Sequence, residues 1–277
     1  MPTPAHISFI SVRDARTWQI ASLSLLLTFG MIKLSFDQTL LAISLIIGTA
    51  LLTQYIGGRI VGLTRFDPMS PLITGLSLSI LLRANDPLWL AFAAMIAIAS
   101  KFILRIDGKH VFNPANFALG VMLLGTDAAW ISPAQWGSAT WAAFLFMSLA
   151  TLVLSRARRG DIAIAFLAAY IAIIFGRAIY LGDPLAIPMK QMQSGGLLLF
   201  AFFMISDPKT TPDRRILRVL YAVSVAGVAA YIQFALYRPQ GLILALFFLS
   251  PLVPLLDRLS QPPRSMPRFE WSKPILN

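Results

Sequence analysis

Apolar runs separated by short polar connections fill the chain from Trp18 to Leu256. A run of about 20 apolar residues is long enough to cross the hydrocarbon layer of a membrane as a helix. The pattern therefore predicts an all-α polytopic membrane protein with about ten transmembrane helices. The predicted spans are 18–34, 39–56, 70–82, 87–104, 113–124, 138–154, 162–181, 194–205, 216–237 and 241–256.

The spans fall into two groups of five with matching features. In each group the third span is short, at 70–82 and 194–205, and an Asp-Pro pair follows it. Because five is an odd number, the second group must enter the membrane from the opposite side, which predicts an inverted repeat. The alternative is a chance alignment of common helix-stop signals. The predicted units are a tail at 1–17, a first repeat at 18–124, a short connection at 125–137, a second repeat at 138–256 and a basic tail at 257–277.

The charged residues are few and are distributed unevenly along the predicted topology. The chain is 57% hydrophobic and 13% charged, whereas soluble domains carry about 25% charged residues. With both termini inside, 18 of the 23 Lys and Arg residues lie on the inner side, as the positive-inside rule requires. The net charge of +11 is thus explained by topology and the lipid bilayer, and it predicts no nucleic-acid partner.

The chain has no cysteine and only two histidines. This composition excludes disulfides, thiolate-held iron–sulfur clusters and covalent haem within the chain. Haem held by two histidines would need both His6 and His110, and His6 lies in the polar tail. If the protein handles electrons, a flavin or a quinone is the expected carrier.

The short span at 194–205 predicts a site where it ends. Its 12 residues reach about 18 Å, against a hydrocarbon core of about 30 Å. The motif that follows, Asp207 to Pro212, places a carboxylate and the hydroxyls of Thr210 and Thr211 beside the free carbonyls of a helix end. This chemistry suits a cation or hydrogen bonds to a polar ring. The alternative is an ordinary turn in which Asp213 caps the next helix.

Further candidates flank the short spans. Asn113 and Asn116 lie three residues apart on one helical face, as uncharged ligand groups or, for Asn113, as a helix cap. Asp67 to Pro71 is a weaker candidate, and His110 is interpreted as a loop histidine. Lys33, Lys101 and Arg177 are expected to snorkel, with Arg177 paired to Asp183. The predicted ligand residues are Asn113, Asn116, Ser194, Gly195, Gly196, Asp207, Thr210 and Thr211.

Four stretches of the chain are characteristic of a known family of membrane subunits: His110–Phe117, Ser194–Thr211, Arg238–Asp257 and Leu72–Leu76. They resemble RnfD of the Rnf electron-transport complex and NqrB of the sodium-translocating NADH:quinone reductase. The resemblance implies ten helices in two inverted halves, flavin binding, other redox subunits as partners, a bacterial inner-membrane location and electron transfer coupled to Na⁺ or H⁺ movement.

One departure from the family concerns its covalent flavin. The family carries FMN on a threonine within a long loop between the halves, but the connection here, about 125–137, is short. Gly137-Ser138-Ala139-Thr140 has only a superficial likeness to the attachment motif, so Thr140 is not expected to carry FMN. The resemblance therefore implies a non-covalent riboflavin or FMN site and a role in ion-coupled electron transport. The alternatives are a transporter or channel for a small solute without redox activity, and a scaffold subunit.

Overall fold

The computed structural model describes residues 6–7, 14–33, 36–131 and 160–260, and these residues are mostly helical. The predicted span 138–154, Thr140 and most of both predicted tails lie outside the described residues. The helices are α1 Ala15–Lys33, α2 Leu40–Ile60, α3 Met69–Leu81, α4 Pro87–Ile103, α5 Pro114–Gly125, α6 Gly160–Leu181, α7 Ala186–Met192, α8 Gly195–Leu199 with a π-helical turn at Phe200–Met204, α9 Arg215–Phe234, α10 Gly241–Leu249 and α11 Leu252–Ser260.

Local sequence signals explain where several helices begin. The side chains of Thr39, Asp86 and Asn113 each accept a backbone N–H from the first turn of α2, α4 and α5. Proline follows Asp86 and Asn113 at the first helical position, where its missing N–H has no consequence. The prediction that Asn113 caps a helix is therefore confirmed.

The described helices fit an integral membrane protein. Three of them, α2, α6 and α9, are long and apolar enough to cross a bilayer. The pair α10 and α11 makes a fourth if it is one span bent by 45°. Shorter apolar helices, α3, α4, α5 and α8, accompany them. The helical membrane class is confirmed, whereas the ten crossings and the inverted repeat stay predictions.

The long helices pack on their neighbours through small side chains. In the first half, α2 lies against α3 and α4, with Ala50 and Ala93 fully buried. In the second half, α9 lies against α6 and α10, with Ala222 and Ala226 fully buried. Small residues let helix backbones approach closely where lipid offers no hydrophobic driving force. The resulting core encloses α3 and α8, both of which are almost entirely buried.

Within the described residues, three two-stranded ribbons join the connections at the helix ends. Strand β1 (His6–Ile7) pairs in parallel with β2 (Arg65–Phe66). Strand β3 (Leu82–Ala84) pairs antiparallel with β6 (Ala129–Ile131). Strand β4 (Arg105–Ile106) pairs antiparallel with β5 (Lys109–His110). The strands have only two or three residues each, so they fix connections rather than form a separate layer.

Candidate functional site

A polar cavity of about 100 Å³ lies where α8 ends and α5 begins. The predicted residues Asp207 and Asn113 both line it, beside Lys209 and His110. The start of α1 and one face of α3 complete the wall. The polar residues in the lining are Arg16, Gln19, Asp67, Ser70, Thr74, Ser77, His110, Asn113, Ser206, Asp207 and Lys209.

The helix that leads to the cavity changes from α-helical to π-helical geometry before it ends. α8 changes to a π-helical turn at Phe200–Met204, and the Ser206 hydroxyl donates back to the carbonyl of Phe202 at 2.5 Å. Single π-turns often occur at functional sites because they change which backbone groups are satisfied. Pro208 then prevents the helix from continuing. Asp207 is thus held at the end of a short, buried helix.

Two contacts orient the Asp207 carboxylate. Its Oδ1 accepts the backbone N–H of Lys209 at 3.0 Å, and its Oδ2 accepts Nδ2 of Asn113 at 3.2 Å. The Asn113 amide is shared, because its Oδ1 also accepts the N–H of Asn116 at 3.1 Å. Burial raises the pKa of Asp207, and the contacts with Lys209 and Asn113 oppose that rise. Asn113 therefore links the first turn of α5 to the carboxylate.

The cations around the cavity differ in how they are neutralised. Arg16 bonds to Asp14 at 2.7 Å and also pairs with Asp67, so two carboxylates oppose its charge. Lys209 is exposed, and no carboxylate of the described chain lies within 4 Å of its ammonium group. Its charge faces Asp207 and Asp67 at longer range. The cavity wall therefore carries two carboxylates, Asp67 and Asp207, and two cations. The charge of Arg16 is neutralised by ion pairs, whereas that of Lys209 is not paired at short range within the described chain.

His110 lies on the cavity wall in β5. Burial is the main cause that lowers the pKa of His110 to about 3, and the positive charges of Lys209, Lys101 and Arg105 contribute to the same shift. The ring is therefore neutral at physiological pH. Its Nδ1 atom is buried and has no hydrogen-bond partner in the described part of the chain. The interpretation of His110 as a loop histidine missed this position, although it lies only three residues before Asn113.

The other predicted ligand residues do not line the cavity. Asn116 is fully buried and donates Nδ2 to the carbonyl of Ile243 at 3.0 Å. The Thr210 hydroxyl donates to the Asp207 carbonyl at 3.3 Å, and the Thr211 hydroxyl is buried without a partner within the described residues. Ser194, Gly195 and Gly196 lie at the opposite end of α8 from Asp207. The structure thus brings Asp207 and Asn113 together and leaves the remaining candidates outside the cavity.

Sequence reasoning also missed a polar stripe on α3. Ser70, Thr74 and Ser77 all line the cavity. They are spaced by four and three residues, which places them on one face of a helix. Three hydroxyls at this spacing within a mostly apolar helix form a signal that the sequence does contain. The weaker candidate Asp67, just before this helix, also belongs to the cavity wall.

The expectation for Lys101 is wrong. Lys101 does not snorkel to a membrane surface, because it is only 6% exposed. Its Nζ donates to Oε1 of Gln54 at 2.6 Å and to the Ser70 hydroxyl at 2.9 Å. A buried ammonium group needs such acceptors to replace water. Lys101 thus ties α2 and α4 to the start of α3, directly behind the cavity.

The cap by Asp213, which belonged to the alternative turn interpretation, is not formed. α9 begins after Arg214, without a side-chain cap. Asp213 instead accepts Nζ of Lys109 at 2.6 Å, and Lys109 also reaches Asp257 at 2.8 Å. The charge on Lys109 competes successfully for the carboxylate because it offers a stronger, charge-assisted hydrogen bond than a backbone N–H. By contrast, the expected pair of Arg177 and Asp183 is present at 3.4 Å.

The cavity suits a small hydrated ion better than a flavin ring. A volume of about 100 Å³ holds several water molecules, since one needs roughly 10–15 Å³ by this kind of measure. Pockets for drug-sized ligands have roughly 300–1,000 Å³. The isoalloxazine ring therefore does not fit this cavity as it stands. Within the described chain, no three His, Cys, Asp or Glu side chains are grouped to hold a transition metal.

Comparison with known proteins places the chain in a family. The model of the NQR2, RnfD, RnfE family matches residues 124–265, which is half of the chain. The D subunit of the ion-translocating oxidoreductase complex of Stutzerimonas stutzeri is 34% identical over 86 residues, covering 31% of this chain and 24% of that protein. The corresponding protein of Psychromonas ingrahamii is 28% identical over 165 residues, covering 57% of this chain and 47% of that protein.

A third relative has a more specific name. The D subunit of the proton-translocating ferredoxin:NAD(+) oxidoreductase complex of Clostridium ljungdahlii is 29% identical over 84 residues, covering 30% of this chain and 24% of that protein. The matched parts span about a quarter to a half of the length of these relatives. Together, the family match and the apolar helices lead to one conclusion: the chain is an integral membrane protein that belongs to the NQR2, RnfD, RnfE family.

Proposed function

We propose that this protein is a membrane subunit of an ion-translocating electron-transport complex, and that a cation enters at the Asp207 cavity. The observation that carries the proposal is the position of Asp207. A carboxylate with a raised pKa lies in a cavity large enough for several water molecules, at the end of a short buried helix. Irregular backbone and a helix C-terminus at such a place favour a cation, because the carbonyl oxygens carry partial negative charge. The relatives' names supply the ion-translocating context.

The ion pairs support the proposed assignment of each connection to one side of the membrane. In the ten-helix topology, with both termini in the cytoplasm of a bacterial cell, segments on one side of the inner membrane contact one another. The ribbon of β3 and β6 joins two connections assigned to the opposite, periplasmic side. This grouping supports the proposal of five crossings in each of two inverted halves, in which the cavity is on the cytoplasmic side. The cytoplasmic pairs are Arg16–Asp67, Arg258–Asp107, Lys109–Asp257 and Arg218–Asp161.

The flavin is a separate part of the proposal. A non-covalent riboflavin or FMN is expected from the family resemblance alone, and it needs either a wider form of the cavity or another place in the chain. The test is the visible spectrum of the purified protein before and after acid precipitation. Flavin released by acid supports a non-covalent site, and flavin kept in the pellet overturns the prediction that covalent attachment is absent. A colourless protein from riboflavin-fed cells contradicts the flavin proposal.

The alternative function is a transporter for a small solute without redox activity. The small polar cavity favours it, because that cavity can accept an ion without any flavin nearby. A colourless protein that still moves ions would identify this alternative. In that case Asp207 keeps its role, and only the electron-transport part of the proposal fails.

Ion movement is tested with the purified protein in liposomes. The comparison is between wild type, Asp207→Asn and Asp86→Asn, with ²²Na⁺ uptake and a pH-sensitive dye as readouts. Asp86 is the matched control, because it also precedes a proline but only caps α4 with an exposed side chain. We expect Asp207→Asn to lose about tenfold or more of the flux, since a buried carboxylate that binds the ion is removed. Equal flux in both variants contradicts the proposal.

A further inference from the structure

A buried arginine lies at the C-terminal end of α3. Arg83 lies two residues after the last residue of the helix and is only 4% exposed. Its Nη1 atom donates to the carbonyl oxygens of Leu82 at 2.8 Å, Ser79 at 3.2 Å and Ile80 at 3.3 Å. Three carbonyl oxygens thus converge on one nitrogen atom. In this part of the fold, the guanidinium group occupies the place where a cation would be coordinated by a helix end.

The surroundings of Arg83 share the character of a cation site. The Gln38 amide also points at this helix end, and it donates to the Ser79 carbonyl at 3.0 Å. The ring of Phe36 lies 5.7 Å from the guanidinium carbon and offers its negative face. Asp37 adds a negative charge in the vicinity. The carbonyls, the ring and the carboxylate all stabilise positive charge.

We infer that the C-terminal end of α3 is a cation-binding site that the protein fills with its own Arg83. The ligand class is a monovalent cation of guanidinium or alkali-metal type, held by backbone carbonyls. Because the guanidinium group is tethered, the site stays closed to free ions at this end of the molecule. In the proposed topology this end faces the periplasm, so Arg83 seals that side while the Asp207 cavity accepts ions from the other. The binding claim itself does not depend on the proposed function.

The ordinary structural explanation makes a different prediction. An arginine can simply satisfy the last carbonyls of a helix, and its removal then costs stability that no small cation restores. A binding site differs because it recovers when a free cation takes the vacated place. Chemical rescue therefore separates the two explanations.

The test compares Arg83→Ala with Arg177→Ala in thermal unfolding of the purified protein. Arg177 is the matched control, because its guanidinium carbon also lies over a phenylalanine ring, 4.5 Å from the centre of Phe234. Unlike Arg83, it pairs with Asp183 at the surface, and within the described residues it donates to no group of backbone carbonyls. We expect millimolar guanidinium to raise the melting temperature of Arg83→Ala by about 2–4 °C, while equal concentrations of urea do not. Wild type and Arg177→Ala should show no such rise. An equal response of both variants overturns the inference.

A second comparison applies if Arg83→Ala does not fold. Arg83→Lys keeps a cation within reach of the carbonyls, whereas Arg83→Gln keeps a hydrogen-bond donor without the charge. We expect the lysine variant to retain most of the wild-type folded yield and the glutamine variant to lose at least about half of it. Equal yields for the two variants overturn the inference, because the charge would then be irrelevant to this helix end.

Discussion

Two short buried helices, α3 and α8, end in opposite ways. α3 keeps regular geometry for its 13 residues, and Arg83 then bonds to its last carbonyls. α8 changes to a π-helical turn and ends beside Asp207, whose carboxylate lines a polar cavity. The same sequence feature, a short apolar run followed by Asp-Pro, therefore gives a closed end in one half and an open end in the other. The difference lies in the charge that the chain supplies there.

This contrast follows from the unsatisfied carbonyls that every helix end carries. Inside a membrane protein these groups need partners, because lipid offers none. At α3 the chain provides both Arg83 and Gln38, so no ligand is required. At α8 it provides the Ser206 hydroxyl and leaves Asp207 facing the cavity. A helix end completed by its own cation is closed to free ions, whereas one that presents an anion is suited to bind a cation.

The largest stability effect is expected from the contacts that hold the connection after α8. Lys109→Met leaves Asp213 and Asp257 without their shared ammonium group, and both carboxylates are mostly buried. We expect a loss of about 2–3 kcal/mol in the free energy of unfolding. The control is Arg258→Met, whose pair with Asp107 is exposed and screened by solvent, so that its loss should be much smaller. Denaturant unfolding of both variants measures the difference, and similar losses would show that the cluster does not secure this end.

A smaller effect is expected at the link between α5 and Asp207. Asn113→Ala removes the cap of α5 and the hydrogen bond to Asp207 together. We expect a loss of about 1 kcal/mol, typical for an N-cap residue. Asn113→Ser is the comparison, because serine caps a helix equally well but is too short to replace the amide contact. If the serine variant behaves like wild type in stability but binds cations more weakly, the amide contact belongs to the site.

The smallest stability effect concerns the pH dependence at Asp207. Its pKa in the folded protein is raised above the ordinary 3.8, so the folded state holds the proton to a higher pH than the unfolded state. Stability attributable to this group therefore falls as pH rises from about 3.8 through the raised pKa, and it stays lower above that pKa. Asp207→Asn should lack this decrease. Denaturant unfolding across this pH range measures both proteins, and parallel stability curves for wild type and the variant would contradict the raised pKa.

Hydropathy and local caps predicted much of the described fold. The apolar runs lie on helices throughout the described residues, and Asn113 caps α5 as its position before proline indicates. These features depend on residues close together in the sequence. The burial of Lys101 depends on Gln54 and Ser70, which lie 47 and 31 residues away and meet it only through tertiary packing. No periodicity in a single segment contains that information.

The sequence predicts the candidate site only in part, because tertiary packing also decides which residues line the cavity. Asp207 stood out because a carboxylate directly follows a short apolar run, and the structure places it on the cavity. Thr210 and Thr211 belong to the same motif, but the turn at Pro208 directs the Thr210 hydroxyl back to the Asp207 carbonyl. The role of Arg16 depends on Asp67, 51 residues away. Side-chain direction and long-range pairing, rather than residue type, decided which candidates line the cavity.

The most direct test of the central claim measures whether a cation shares the cavity with Asp207. A hydrophobic carbodiimide labels protonated carboxyl groups, and mass spectrometry of the digested protein quantifies labelling at Asp207 and, as an internal control, at the exposed Asp86. We predict that Asp207 is labelled increasingly as pH falls and that Na⁺, Li⁺ or K⁺ protects it at constant ionic strength, while Asp86 does not respond to the choice of cation. Labelling at Asp207 that follows Asp86 in its pH dependence, and that no cation reduces, would contradict a cation site at Asp207.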